Sequence, residues 1–97
     1  MTTFQYLFTP LRIGNVTVDN RIVVMPHTTL LSTDHLIGDR HVAYYEERAK
    51  GGAGLIIVET LIVHPTSQPL MNEAFADDER EVPRYRQLTS AVHGHGT

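Results

Sequence analysis

The four residues LIIV at positions 55–58 form an apolar run with no polar residue at alternate positions. A strand with one face in water alternates apolar and polar side chains, whereas a strand that is covered on both faces does not. The run therefore predicts a buried strand of a parallel sheet. Because parallel strands are joined by crossover segments that are usually helices, the chain is expected to have an α/β fold.

Three more strands are predicted before this run. Residues 11–13 and 16–18 predict a β-hairpin, because the Gly-Asn pair at 14–15 tolerates the left-handed backbone of a tight turn. Residues 21–25 predict a strand that ends at Pro26, since proline cannot donate a ladder hydrogen bond. The polar segments between elements are predicted to be loops, at residues 28–38 and 60–78, the second with Pro65, Pro69 and Asn72.

Two helices are predicted from apolar residues at helical spacing. The first has Asp39 as its N-cap and ends at the glycine pair 51–52, because glycine adopts the left-handed conformation without steric cost. The second begins at Pro83, a tolerated first position, and ends at Gly94 or Gly96. The apolar stripes are Val42, Tyr45 and Ala49 in the first helix and Tyr85, Leu88 and Val92 in the second.

The order hairpin, β, α, β, α does not make a finished parallel-sheet domain. Two parallel strands leave open edges, and the helices keep partly uncovered apolar stripes. Residues 1–97 are therefore expected to be the first part of a larger α/β protein. The alternative is a complete small α+β domain.

Composition excludes several functional classes. The net charge of −3 gives no basic footprint for nucleic acid or an anionic membrane. No apolar run approaches the roughly 20 residues that span a bilayer, and the first residues lack the features of a secretory signal. Without cysteine there is no disulfide, thiolate metal site or cysteine nucleophile. His93 and His95 have no further clustered ligands, so no metal site is expected. A cytoplasmic location is expected.

Polar residues follow both predicted parallel strands. Pro26, His27 and Thr28 come after the first strand, and Glu59 and Thr60 come after the second. In a β/α barrel the active site is built at the carboxyl ends of the strands. The two clusters therefore predict a ligand site, and the alternative is that they form solvated loops.

Other polar side chains are predicted to be structural. His27 is expected to be packed or hydrogen-bonded rather than catalytic, and Glu59 to be hydrogen-bonded rather than a general base. Tyr44 and Tyr45 lie in the middle of a helix and are expected to serve packing.

Three segments resemble the amino-terminal part of the Old Yellow Enzyme-like NAD(P)H:flavin oxidoreductases: LFTPLRIGNVTVDNRIVVMP, DRHVAYYEERAKGGAGLIIVE and VPRYRQLTSAVHGHGT. They occur in order, with matching loop lengths, and cover nearly the whole chain. The stretch MPHTT is most similar to the branch of trimethylamine dehydrogenase and 2,4-dienoyl-CoA reductase. The resemblance implies that residues 1–97 are the N-terminal fragment of a single FMN-binding (β/α)8 TIM barrel, whose bottom the hairpin closes.

The resemblance also implies site residues by position. The flavin-contact positions are Met25, Pro26, His27, Thr28 and Thr60. Thr28 matches the residue near flavin O4 and N5, and Leu30 matches a position that faces the substrate in some members. Relatives that hold flavin covalently have cysteine where this chain has Thr28, so non-covalent FMN is expected.

The implied activity is transfer of hydride from NAD(P)H through FMN to an activated alkene, such as an enone or enoyl thioester. No catalytic residue is assigned within the chain, because the family's acid lies beyond residue 97, and the fragment alone is expected to be inactive. Partners are a small-molecule substrate and, for the full-length enzyme, a second copy in a homo-oligomer. The alternative is a non-catalytic truncated remnant that binds no flavin, which the reading frame beyond residue 97 distinguishes. A barrel enzyme for a phosphorylated metabolite is disfavoured, since no glycine-rich phosphate loop is visible.

Overall fold

A computed structural model describes residues 3–67 and 72–97 of the chain. Within these residues there are six short strands and two helices. The strands are β1 (Leu11–Ile13), β2 (Val16–Val18), β3 (Val23–Val24), β4 (Leu55–Ile56), β5 (Leu61–Ile62) and β6 (Ala74–Phe75). The helices are α1 (Asp39–Lys50) and α2 (Glu81–His93). The predicted order of hairpin, strand, helix, strand and helix is present.

Strands β1 and β2 form the predicted antiparallel hairpin. Leu11 is opposite Val18, and Ile13 is opposite Val16. Gly14 has a φ of +60°, so the turn uses the conformational freedom of glycine. The prediction of this hairpin from its Gly-Asn turn is confirmed.

Strands β3 and β4 pair in parallel and are connected through α1. Val23 is opposite Leu55 and Val24 is opposite Ile56, so the predicted parallel pair is confirmed. Strand β3, at Val23–Val24, is shorter than the strand predicted at residues 21–25. The backbone N–H of Arg21 donates to Leu7 O and that of Ile22 to Asn20 Oδ1, so neither of these N–H groups takes part in the pairing with β4.

The predicted loop at residues 60–78 contains secondary structure, and the prediction of one continuous loop is wrong. Strands β5 and β6 pair in parallel within it, with Leu61 opposite Ala74 and Ile62 opposite Phe75. Ile62 and Ala74 are buried, which gives these two-residue strands a reason to form. A strand of two residues carries too short a pattern to be found from sequence. Residues 68–71, which include Pro69, lie outside the described part of the chain.

The N-cap of helix α1 lies one residue earlier than predicted. Gly38 is the N-cap, and Asp39 is already in the first helical turn, so the prediction of Asp39 as N-cap is wrong. The side chain of His41 supplies the cap contact instead, because its Nδ1 accepts the backbone N–H of Gly38 at 3.2 Å. At the other end Gly51 caps the helix and Gly52 has a φ of +98°, as the predicted glycine stop requires.

Helix α2 begins at Glu81, two residues before the predicted start at Pro83. Proline is tolerated there because the first N–H groups of a helix have no intrahelical acceptor. Gly94 caps the helix at the predicted end. Within the described residues, no helix is long and apolar enough to cross a membrane.

The core lies between the two helices and the strands β4 to β6. Its buried members are Ile37, Tyr45, Ala49, Ala74, Leu88 and Val92, with Val42, Ile56, Val58, Leu61 and Tyr85 packed against them. Both predicted helix stripes therefore face the core. Tyr44 is half-buried, and the guanidinium of Arg48 covers its ring at 3.4 Å from the centroid.

We expect the 97-residue chain by itself to be poorly folded or self-associated. Large apolar side chains in and after the strands are exposed, among them Val23, Met25, Ile57 and Val63. Apolar surface of this kind, next to open strand edges, favours association. Size-exclusion chromatography and amide hydrogen exchange on the purified chain test this. A compact monomer with widespread slow exchange would contradict it.

Candidate functional site

The carboxyl ends of β3 and β4 lie side by side, because the two strands are parallel neighbours. Residues 25–28 continue from β3, and Glu59 and Thr60 follow β4 by a few residues. The two stretches meet directly after Thr28, where the backbone N–H of Thr29 donates to Glu59 Oε2 at 2.9 Å. The structure thus brings the two polar clusters to one edge of the sheet.

The segment after β3 is largely open to solvent. The side chain of Met25 is 66% exposed, Pro26 and His27 are exposed, and Thr28 is half-buried. Thr60 is exposed on the neighbouring stretch. Neither the backbone nor the side chain of His27 or Thr28 makes a hydrogen bond to any described residue. These polar groups are therefore free to contact a ligand.

His27 does not behave as the sequence predicts. The sequence predicts a packed or hydrogen-bonded imidazole, but the side chain is exposed and has no hydrogen-bonding partner among residues 3–67 and 72–97. Pro26 ends the ladder before His27, so the chain leaves the sheet at this point and carries the imidazole into solvent.

Glu59 is buried and its carboxylate accepts several hydrogen bonds. Oε2 accepts the backbone N–H of Thr29 at 2.9 Å, and Oε1 accepts the Thr29 hydroxyl at 2.7 Å. Oε1 also accepts the hydroxyl of Tyr45 at 3.2 Å, and that hydroxyl accepts the backbone N–H of Glu59 at 2.9 Å. The prediction that Glu59 is hydrogen-bonded is confirmed. A carboxylate that is occupied in this way is a structural anchor.

His41 is fully buried beside this carboxylate, with Nε2 3.4 Å from Glu59 Oε1. Its Nδ1 accepts the Gly38 N–H, so the ring proton of the neutral imidazole is on Nε2, on the side of Glu59. Burial lowers the pKa of His41; the charge of Glu59 raises it in part, and Arg40 lowers it further. The imidazole is therefore neutral at pH 7.

Tyr45 contributes both to the apolar core and to the hydrogen bonds of Glu59. Its ring is buried in the core, as predicted, and its hydroxyl bridges the backbone and the carboxylate of Glu59. Burial raises the pKa of Tyr45 above its usual value, so the hydroxyl keeps its proton. Sequence reasoning missed the polar role and missed His41 entirely. The signal was the i, i+4, i+8 spacing of His41, Tyr45 and Ala49, which lie on one buried face of α1.

Leu30 has a strained backbone. Its φ is +60°, a left-handed conformation that costs a residue with a Cβ about 1–2 kcal/mol. Hydrogen bonds hold the chain on both sides, because the Thr29 hydroxyl also accepts the backbone N–H of Leu31 at 3.3 Å. The Leu30 side chain is 37% exposed. Such strain persists where surrounding contacts over-determine the conformation.

A second buried carboxylate holds the far end of the same loop. The backbone N–H of Ile37 donates to Glu81 Oε1 at 3.0 Å and to Oε2 at 3.2 Å. Arg84 donates to Ile37 O at 2.7 Å. Burial raises the pKa of Glu81 above its usual value. The loop between β3 and α1 is therefore anchored near both ends by carboxylates from distant parts of the sequence.

Two further polar features of the described residues bear on possible chemistry. Burial raises the pKa of Tyr85 to about 12, and its buried hydroxyl has no hydrogen-bonding partner within the described residues. No group of three or more histidine, aspartate or glutamate side chains in residues 3–67 and 72–97 is placed to hold a metal ion.

Curated relatives match the chain over nearly its whole length. It is 38% identical over 96 residues to the N,N-dimethylglycine/sarcosine dehydrogenase of Chromohalobacter salexigens, covering 96% of this chain and 14% of that protein. It is 39% identical over 98 residues to the NADH oxidase of Thermoanaerobacter brockii, covering 99% of this chain and 15% of that protein. The chain therefore spans about one seventh of the length of these relatives.

A solved structure shows the same fold. The old yellow enzyme of Trypanosoma cruzi aligns with a TM-score of 0.85 and 34% identity, over 98% of this chain and 26% of that one. The model of the NADH:flavin oxidoreductase / NADH oxidase family matches residues 6–97. Because that match covers almost all of the chain, the chain belongs to the NADH:flavin oxidoreductase / NADH oxidase family.

Proposed function

We propose that the chain is the amino-terminal part of an FMN-dependent oxidoreductase that transfers hydride from NAD(P)H to an activated alkene, such as an enone or enoyl thioester. The family match over residues 6–97 is the observation that carries the proposal. In that enzyme the pairs β3–α1 and β4–α2 are the first two units of a (β/α)8 barrel, and the hairpin β1–β2 closes its bottom.

The open segment after β3 has the chemistry that a flavin ring requires. The isoalloxazine is flat and carries hydrogen-bond acceptors, so it needs an apolar neighbour and free donors. Met25 offers exposed apolar surface, and the N–H groups of His27 and Thr28 and the Thr28 hydroxyl are unpaired within the described residues. Ligand sites in barrels lie at the carboxyl ends of the strands, where this segment stands.

The residues of the chain would bind and tune the cofactor, and FMN would supply the redox chemistry when bound. Met25, Pro26 and His27 would line the ring through their backbone, Thr60 would border it from the neighbouring strand, and Thr28 would donate its hydroxyl. Since the sequence has no cysteine, none of these residues can form a thioether to the flavin, and FMN would be held non-covalently. Leu30, next to these positions, would face the substrate.

Cofactor analysis of the full-length enzyme that carries these residues tests the proposal. After desalting, the protein should retain a yellow flavin that acid releases completely and that chromatography identifies as FMN. Anaerobic NADH or NADPH should bleach the flavin, and 2-cyclohexen-1-one should restore its colour. A colourless protein that does not take up added FMN would contradict the proposal and favour a non-catalytic remnant.

A second substrate class comes from the relative that is named for N-methylated glycines. The identity of 38% to the N,N-dimethylglycine/sarcosine dehydrogenase makes oxidation of a methylated amine the alternative reaction. The same anaerobic experiment separates the two. Bleaching by sarcosine and not by NADH or NADPH would favour amine oxidation, whereas bleaching by the nicotinamide followed by reoxidation with the enone would favour alkene reduction.

A further inference from the structure

Three hydrogen bonds converge on the Glu59 carboxylate, and two of them come from one loop residue. The Thr29 N–H and hydroxyl donate at 2.9 and 2.7 Å and the Tyr45 hydroxyl at 3.2 Å, whereas His41 Nε2 lies 3.4 Å away without making a hydrogen bond. The two oxygens of a carboxylate can accept all three of these hydrogen bonds. A side chain amide would place an NH2 group against at least one of these donors.

The fixed position of Glu59 makes it an effective anchor. Its own backbone N–H is held by Tyr45, and His41 is held by the Gly38 N–H at the start of α1. The Glu59 residue is therefore held from two sides of its backbone and carboxylate by Tyr45, on the packed face of α1. Thr29, by contrast, belongs to the irregular loop that follows β3.

The contact with Thr29 continues to the strained residue. Thr29 binds Glu59 through its N–H and hydroxyl, and the same hydroxyl accepts the N–H of Leu31. These bonds fix the chain immediately before and after Leu30, whose φ is +60°. Leu30 itself makes no other hydrogen bond within the described residues. The bonds of Thr29 therefore keep Leu30 in a conformation that leucine disfavours.

We propose that Glu59 is a positioning residue that acts through Thr29. It holds residues 28–31 in place around the strained backbone of Leu30 and thereby places Thr28 against the flavin and Leu30 against the substrate. This inference rests on the proposed function. Glu59 itself contacts neither ligand, and its role is to fix the geometry of the residues that do. The rate of a bimolecular transfer depends steeply on that geometry.

The variant Glu59→Gln in the full-length FMN enzyme tests the proposal. It should still bind FMN, with a shifted visible flavin spectrum, and kcat/KM for 2-cyclohexen-1-one should fall about 10- to 100-fold. Amide exchange of residues 29–31 should become faster. Thr29→Val keeps the side-chain shape and removes the hydroxyl, so it should give the same changes to a smaller extent.

The matched control is Glu81→Gln, since Glu81 is equally buried and anchors the same loop at Ile37. Only one loop N–H donates to Glu81, and it is shared between the two oxygens. A rotation of the glutamine amide lets its one oxygen accept that bond alone, so the flavin spectrum and kinetics should stay close to wild type. Wild-type spectrum, kinetics and exchange in Glu59→Gln would overturn the inference, as would equal losses in Glu81→Gln. If Glu59→Gln does not fold, wild-type behaviour of Thr29→Val overturns it. A wild-type enzyme without FMN would instead overturn the proposed function, and the inference with it.

Discussion

Replacing Gly54 with alanine is expected to destabilise the protein by about 1–3 kcal/mol, the usual cost of an overpacked site. A Cβ at this position would lie 2.5 Å from Asn20 O, 2.7 Å from its Oδ1 and 3.1 Å from its backbone N. Asn20 cannot easily move, because Oδ1 accepts the N–H of Ile22 and Nδ2 donates to Gly52 O. The Gly54 N–H donates to Ile22 O at 3.0 Å, so the clash falls where β3 and β4 begin to pair. Thermal or denaturant unfolding of the full-length enzyme measures the loss.

Gly51→Ala is the matched control for this prediction. Gly51 has an ordinary helical backbone, with φ −68°, and an added Cβ would be 3.4 Å from Arg48 O and 3.6 Å from Glu47 O, which are acceptable contacts. Its stability should change by less than about 0.5 kcal/mol. If Gly54→Ala unfolds at the same midpoint as Gly51→Ala, the close approach of Gly54 to Asn20 does not exist in the folded protein.

Elements that depend on local sequence were predictable. The Gly-Asn turn of the hairpin, the apolar run at β4 and the glycine stop after α1 each express a preference of a few neighbouring residues. The same is true of the meeting of two polar clusters at one sheet edge, since parallel strands joined by a helix end on the same side. These features needed only the residue types and their spacing.

Contacts between distant residues were not predictable in this way. Glu81 binds the N–H of Ile37, which is 44 positions earlier, and nothing in either local sequence indicates the pair. Residue preference predicts Asp39 as the N-cap of α1, whereas the N-cap in the structure is Gly38, whose N–H is accepted by His41 Nδ1. The left-handed backbone of Leu30 also could not be predicted from the sequence, since leucine rarely adopts it and the hydrogen bonds that flank it within residues 3–67 and 72–97 are those of Thr29.

Replacing Thr28 with alanine is expected to lower the reduction potential of bound FMN by roughly 30–65 mV while leaving the flavin bound. A hydroxyl that donates to flavin O4 stabilises the electron-rich reduced ring more than the oxidised ring. Its loss removes about 1.5–3 kcal/mol from the reduced state, and for a two-electron couple that energy corresponds to the stated shift. The backbone contacts proposed for Met25 to His27 do not depend on this side chain, so FMN binding should persist. Reductive titration against a reference dye measures the potential.

Thr33→Ala is the control, because Thr33 is an exposed threonine of the same loop whose hydroxyl makes no hydrogen bond to the described residues. Its potential should equal that of wild type. In Thr28→Ala, reduction by the nicotinamide should slow and reoxidation by the enone should become faster, since a lower potential makes the flavin a weaker oxidant and a stronger reductant. An unchanged potential in Thr28→Ala, with FMN fully bound, would show that the hydroxyl points away from the flavin. The polar residues after β3 would then contribute to the site through their backbone alone.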